Sequence, residues 1–146
     1  MLNRYGVSCV LFITAMFYSL TGAAQSLPGS GLLATFKVGN ETFKSNITSP
    51  ASINDAILVW RGKSNKKIPV GQLSCTAAGW NSPWHWQQLA STVVMAHSTV
   101  EVCDGAPSYV EAHCSTFGGG YYCPWMAIMI DLRDCRTSSL CPRVSK

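Results

Sequence analysis

The sequence predicts a single small α+β domain: mostly antiparallel sheet of four to five strands, with two helices, stapled by disulfides. Three observations carry this. Two runs flanking Gly39-Asn40 alternate apolar and polar residues, the period of half-buried strands. Ile53, Ala56, Ile57 and Trp60 recur at the spacing of one helix face. Six of the seven cysteines lie at Cys75 or later, an even set in what reads as an exported chain.

Export is read from the first residues. Val7 to Leu20 is almost wholly apolar, follows Asn3-Arg4, and leads into Gly22-Ala23-Ala24. This is the layout of a secretory signal cut after Ala24 or Ala23. A membrane anchor needs about 20 apolar residues; this run is shorter and no basic stop-transfer cluster follows it, so no stable membrane anchor is expected. Residues 1–24 read as a signal peptide, 25–31 as a flexible leader, 32–134 as the domain, and 135–146 as a cysteine-bracketed tail.

Cleavage would remove Cys9 and Arg4, leaving six cysteines and lowering the formal net charge from +4 to +3. Roughly 120 residues remain, enough for one modest core. So mild a positive excess is no footprint for nucleic acid. Zinc would need Cys-x-x-Cys or closely paired histidines, and neither is present. No metal and no cofactor is expected.

Each element has a local cause. Leu32–Val38 and Glu41–Ile47 form a hairpin because Gly39-Asn40 tolerates positive φ. Ser49-Pro50 opens a helix, Ser49 as cap and Pro50 in the first turn where its missing N–H costs nothing; Gly62 ends it. Ile68–Cys75 is a third strand with Pro69 near its start. Gly79–Trp86 is a loop carrying Trp80, Trp84 and Trp86. Thr92–Cys103 is β-rich and reads as one long strand bent near His97-Ser98. Asp104-Gly105 turns the chain, and Pro107 opens a short helix to about Cys114, with Tyr109 and Val110 facing inward. Phe117–Gly120 is a link, and Trp125–Leu132 is the last strand.

Several groups are candidates for function. Trp80, Trp84, His85 and Trp86 form a loop that either covers one end of the core or offers stacking rings to a sugar or peptide. Arg61, Lys63, Lys66 and Lys67 crowd past the first helix, where cations suit the negative end of the dipole and could also meet an acidic partner. Asn40 and Asn46 head glycosylation triplets. Glu101, Asp104, Glu111 and His113 are the best local cluster a hydrolase could draw on, and the same acids could hold calcium. Simpler roles suit each of them: Asp104 as a turn or capping residue, Glu111 as a solvated side chain, His113 as a packed one.

Several stretches resemble the BP-seventy-four N-terminal domain family of small exported domains. They are Phe36-Lys37-Val38 with Phe43, Ser49-Pro50 with the helix to Trp60-Arg61-Gly62, Ile68-Pro69-Val70-Gly71, and Asn81-Ser82-Pro83-Trp84-His85-Trp86. The most specific are Val100 to Glu111 and Cys123-Pro124-Trp125. The resemblance implies an α+β fold and a Cys103–Cys123 bridge; it names a fold more than an activity. Cys75, Cys114, Cys135 and Cys141 depart from the family pattern and admit three pairings, of which Cys75–Cys114 with Cys135–Cys141 is preferred.

The expected function is a secreted, disulfide-rich binding module, an effector or inhibitor acting on an extracellular protein or glycan through the tryptophan and basic loops. A small hydrolase using the acidic cluster, or a calcium-binding module, is the alternative.

Overall fold

The computed structural model describes residues 30–146. The expected signal peptide, and the leader apart from Ser30 and Gly31, lie outside the described residues. Seven strands and two helices follow in the order β1 (Leu32–Val38), β2 (Glu41–Ile47), α1 (Pro50–Trp60), β3 (Ile68–Ser74), β4 (Gln87–Gln88), β5 (Val94–Ala96), α2 (Pro107–His113), β6 (Tyr121–Tyr122) and β7 (Ile128–Asp134). They make two small antiparallel sheets. One has the order β2-β1-β7; in the other, β3 pairs with β4, β5 and β6 along its length. The expected α+β domain is therefore present, with its sheet divided in two and its strand count raised by pieces two or three residues long.

The hairpin has the register its alternation dictates. Phe36 faces Phe43, and Leu32 faces Ile47. Strand β7 lies on the other side of β1; its register slips between Thr35 and Phe36, so Ile130 is the residue skipped. This is a bulge, which bends and twists the strand locally.

The long strand expected over Thr92–Cys103 is a strand only at Val94–Ala96. Beyond His97 the chain leaves β3, and Glu101–Cys103 coils into a 3-10 turn. The hydrophobic alternation of Val100 and Val102 is genuine, but no neighbouring strand is there to pair with it.

Helix α1 buries Ser52, Ile53, Ala56 and Trp60. It ends in a Schellman motif: Lys63 N donates to Leu58 O (2.8 Å) and Gly62 N to Val59 O (3.0 Å), with Gly62 at φ 67°. That left-handed turn is why a glycine stands there. In α2, Val110 and Pro107 are buried. Tyr109 points outward instead of inward and stacks on His113, ring centroids 4.2 Å apart.

The core lies between the sheets. Phe36, Phe43, Trp86 and Tyr122 are fully or almost fully buried and meet in a chain of stacked and edge-on ring contacts. One polar joint crosses it. Ser45 of β2 donates to Gln88 Oε1, and Gln88 Nε2 donates to Tyr122 O (2.9 Å) and Pro69 O (3.2 Å). Every bond ties a different strand, so the joint fixes how the sheets sit on each other. A Cβ on Gly71 would come within 2.8 Å of the Gln88 side chain, so glycine is required for this approach.

The disulfides are Cys75–Cys114, Cys103–Cys123 and Cys135–Cys141, the pairing preferred from the sequence. They join the end of β3 to the end of α2, the 3-10 turn at Glu101–Cys103 to the end of β6, and the tail to itself. Several disulfides in one small domain point to an oxidising compartment. Among the described residues no helix is long and apolar enough to cross a membrane.

Candidate functional site

The segment that leaves β3 builds an apolar apron at one edge of the molecule. Its frame is the Cys103–Cys123 bridge, doubled by a backbone bond from Cys123 N to Cys103 O (2.8 Å). Asp104 reinforces it: one carboxylate oxygen, Oδ1, accepts from both Gly105 N and Trp125 N, each at 2.9 Å. Trp125 Nε1 donates to Thr99 Oγ1 (2.8 Å), closing the frame across its top.

With Cys103 turned inward, Val100 and Val102 turn outward. They are 66 % and 67 % exposed; Met126 at 77 % and Ile128 at 63 % are exposed too, and the Thr99–Trp125 bond ties the two segments together. Exposed apolar residues that gather into one patch mark an interaction surface. Met126 is the ridge between two hollows. One, of about 570 Å³, is floored by Lys37, Val38, Asp104 and Ile128. The other, of about 330 Å³, is lined by Ile68, His97, Thr99 and Trp125.

Below the apron, Tyr122 is buried and its hydroxyl donates to Gly105 O (3.0 Å). Desolvation first, then the charges of Asp104 and Glu41, raise its pKa, so the phenol stays neutral.

The residues singled out from sequence are placed differently. Trp86 is fully buried and belongs to the core. Trp84 is half-buried, stacks on Trp86, and donates Nε1 to Thr42 O (2.8 Å). Trp80 is half-buried. Asn81 pins their loop to β2, accepting from Lys44 N (2.7 Å) and donating to Trp86 O (2.9 Å). Trp86 is thus a core residue and Trp84 packs against the core.

His85 is the exposed member of that loop. Its Nδ1 lies 2.6 Å from Glu111 Oε1, and its backbone N–H donates to Oε2 (2.9 Å), tying the loop to α2. Desolvation pushes the Glu111 carboxyl up, but those two bonds and the His85 charge outweigh it and hold it below its ordinary value.

The acidic cluster does not converge. Asp104 is engaged by backbone N–H groups and Glu111 by His85. His113 Nδ1 bonds Tyr109 O (2.9 Å), and Glu101 stands exposed. Among the described residues no three His, Cys, Asp or Glu side chains gather into a group that could hold a metal ion. Of the two glycosylation triplets, Asn40 sits in the exposed hairpin turn, whereas Asn46 is 5 % exposed within β2.

The apron is what sequence reasoning missed. Around the 3-10 turn Val100, Glu101 and Val102 are all exposed and Cys103 is buried, so strand-like alternation in the sequence offered no signal for it.

The family model of the BP-seventy-four N-terminal domain matches residues 32–135. The match runs from the start of β1 to the first cysteine of the tail and contains the whole apron. No curated protein and no solved structure matches the chain.

Proposed function

The chain belongs to the BP-seventy-four N-terminal domain family, and within that family we propose that it is a secreted binding module. Its apron docks on an extracellular protein as an effector or inhibitor. The observation that carries the reading is the exposure of Val100, Val102, Met126 and Ile128 around a covalently fixed frame. Interface cores are depleted of charge and enriched in Met and aromatic residues, and Met126 beside Trp125 supplies both. A rigid frame lowers the ordering cost of association. Aliphatic side chains offer a glycan few hydrogen bonds, so the apron favours a protein partner.

The test uses the oxidised, processed protein as bait in extracellular fluid, in three forms: unaltered, Val102→Asp and Met126→Asp. A polypeptide should be retained by the unaltered bait and lost from both variants, while their thermal midpoints stay within about 2 °C of the original. Retention of the same species by both variants would reject the apron as the contact.

A further inference from the structure

A second surface lies at the C-terminal end of α1, built from residues the apron does not use. Ion pairs engage Lys66 with Asp55 (3.0 Å), Arg133 and Arg143 with Asp131 (2.8 and 2.7 Å), and Arg136 with Asp134 (2.6 Å). Arg61, Lys63, Lys67 and Lys146 are exposed, and none of them enters an ion pair among the described residues.

One bond fastens the tail to this end of α1, and two more fix its course. Cys135–Cys141 closes it, Val144 N donates to Leu132 O (2.8 Å), and Trp60 Nε1 donates to Val144 O (2.8 Å). These bonds lay Arg143 and Lys146 over the Trp60 ring, 5.4 and 4.6 Å from its centroid. Both cations thus sit on the residue that precedes Arg61. A cleft of about 410 Å³ opens between Trp60, Arg143, Ser145 and Lys146.

A helix dipole accounts for a cation or two in the last turn. It does not account for a set drawn from the helix end, the following loop and the distant tail. The carboxylates that answer them, Asp55 and Asp131, are already paired.

We propose that this surface binds an acidic polysaccharide, a sugar chain carrying sulfate or carboxylate groups. Such a chain presents anions at repeated intervals, matching cations spread along a surface, and its hydroxyls suit Ser64, Asn65 and Ser145. The indole holds Arg143 and Lys146 in place before the ligand arrives, so less rotamer freedom is lost on binding. Trp60 is 7 % exposed; it is a seat for cations, not a ring free to enter a bilayer. This site is separate from the apron and stands or falls independently of it.

The test is retention of the oxidised protein on immobilised sulfated polysaccharide, with elution by salt, which screens such contacts. Two double variants remove equal charge: Arg61→Ser/Lys63→Ser in the patch, and Lys37→Ser/Lys44→Ser in the hairpin. The patch variant is expected to bind roughly tenfold more weakly, because several exposed ionic contacts are lost together, and Lys146→Ser to lose a smaller part. The hairpin variant should elute with the unaltered protein. Equal losses in both doubles, or elution at the same salt from a plain sulfonate resin, would reduce the binding to ion exchange and overturn the proposal. Binding to phosphatidylserine vesicles without retention on the polysaccharide would overturn it in favour of a membrane.

Discussion

The aromatic core and the apron are made from similar residues and have opposite exposures. Phe36, Phe43, Trp86 and Tyr122 lie between two sheets and see almost no water, whereas Val100, Val102, Trp125 and Met126 lie on one edge and see a great deal. The core is held by packing and by the Ser45–Gln88 joint. The apron is held by one disulfide and by backbone N–H groups gathered on Asp104. A covalent bridge can thus do for a loop what burial does for a strand, and it leaves the loop's apolar side chains free for a partner.

The contrast can be broken most forcefully in the core. Trp86→Ala should destabilise the domain by about 3–5 kcal/mol, the cost of removing a large buried aromatic, read from denaturant unfolding. Trp86→Phe should cost visibly less. The Trp86 indole N–H has no acceptor among the described residues, and losing an unsatisfied donor offsets part of the lost area. Equal costs for the two would show that aromatic packing at this position does not carry the stability.

Next comes the frame. Cys103→Ser/Cys123→Ser opens a loop with a sequence separation of 20 and should cost about 2–4 kcal/mol. A loss well above that range, with both sheets unfolding together, would mean that core and apron do not separate.

The smallest effect concerns the His85–Glu111 tie. Glu111 titrates below its usual 4.5 when folded, so its contribution is complete above that value and is lost as pH falls through the lowered one. Asp134 behaves alike: the Arg136 guanidinium bond lowers its pKa against desolvation. Glu111→Gln should flatten part of the decline in thermal midpoint below pH 4.5. An unchanged slope would show that the tie adds nothing to stability.

The legible parts of the chain were those governed by local chemistry. The hairpin followed from Phe36, Phe43 and Gly39-Asn40, and α1 followed from Ser49-Pro50, its apolar stripe and Gly62. The preferred pairing of the four extra cysteines is the one present. What stayed hidden depended on partners far along the chain. Val100 and Val102 alternate like strand residues, yet they lie at a 3-10 turn bridged to Cys123, where Val100, Glu101 and Val102 are all exposed. Glu111 and His85 lie 26 residues apart, and no spacing announces their bond. Glu101, Asp104, Glu111 and His113 looked like one cluster because they are close in sequence, but the turn at Asp104 and the helix after it send them to different neighbours.

The most direct test of this division is amide hydrogen exchange, resolved by residue, on the unaltered protein and on Cys103→Ser/Cys123→Ser. Faster exchange is expected at 99–104 and 123–126 in the variant, while β1, β2 and β3 keep their protection. Loss of protection across both sheets together, or no change at the apron, would show that the bridge does not hold the apron separately from the core.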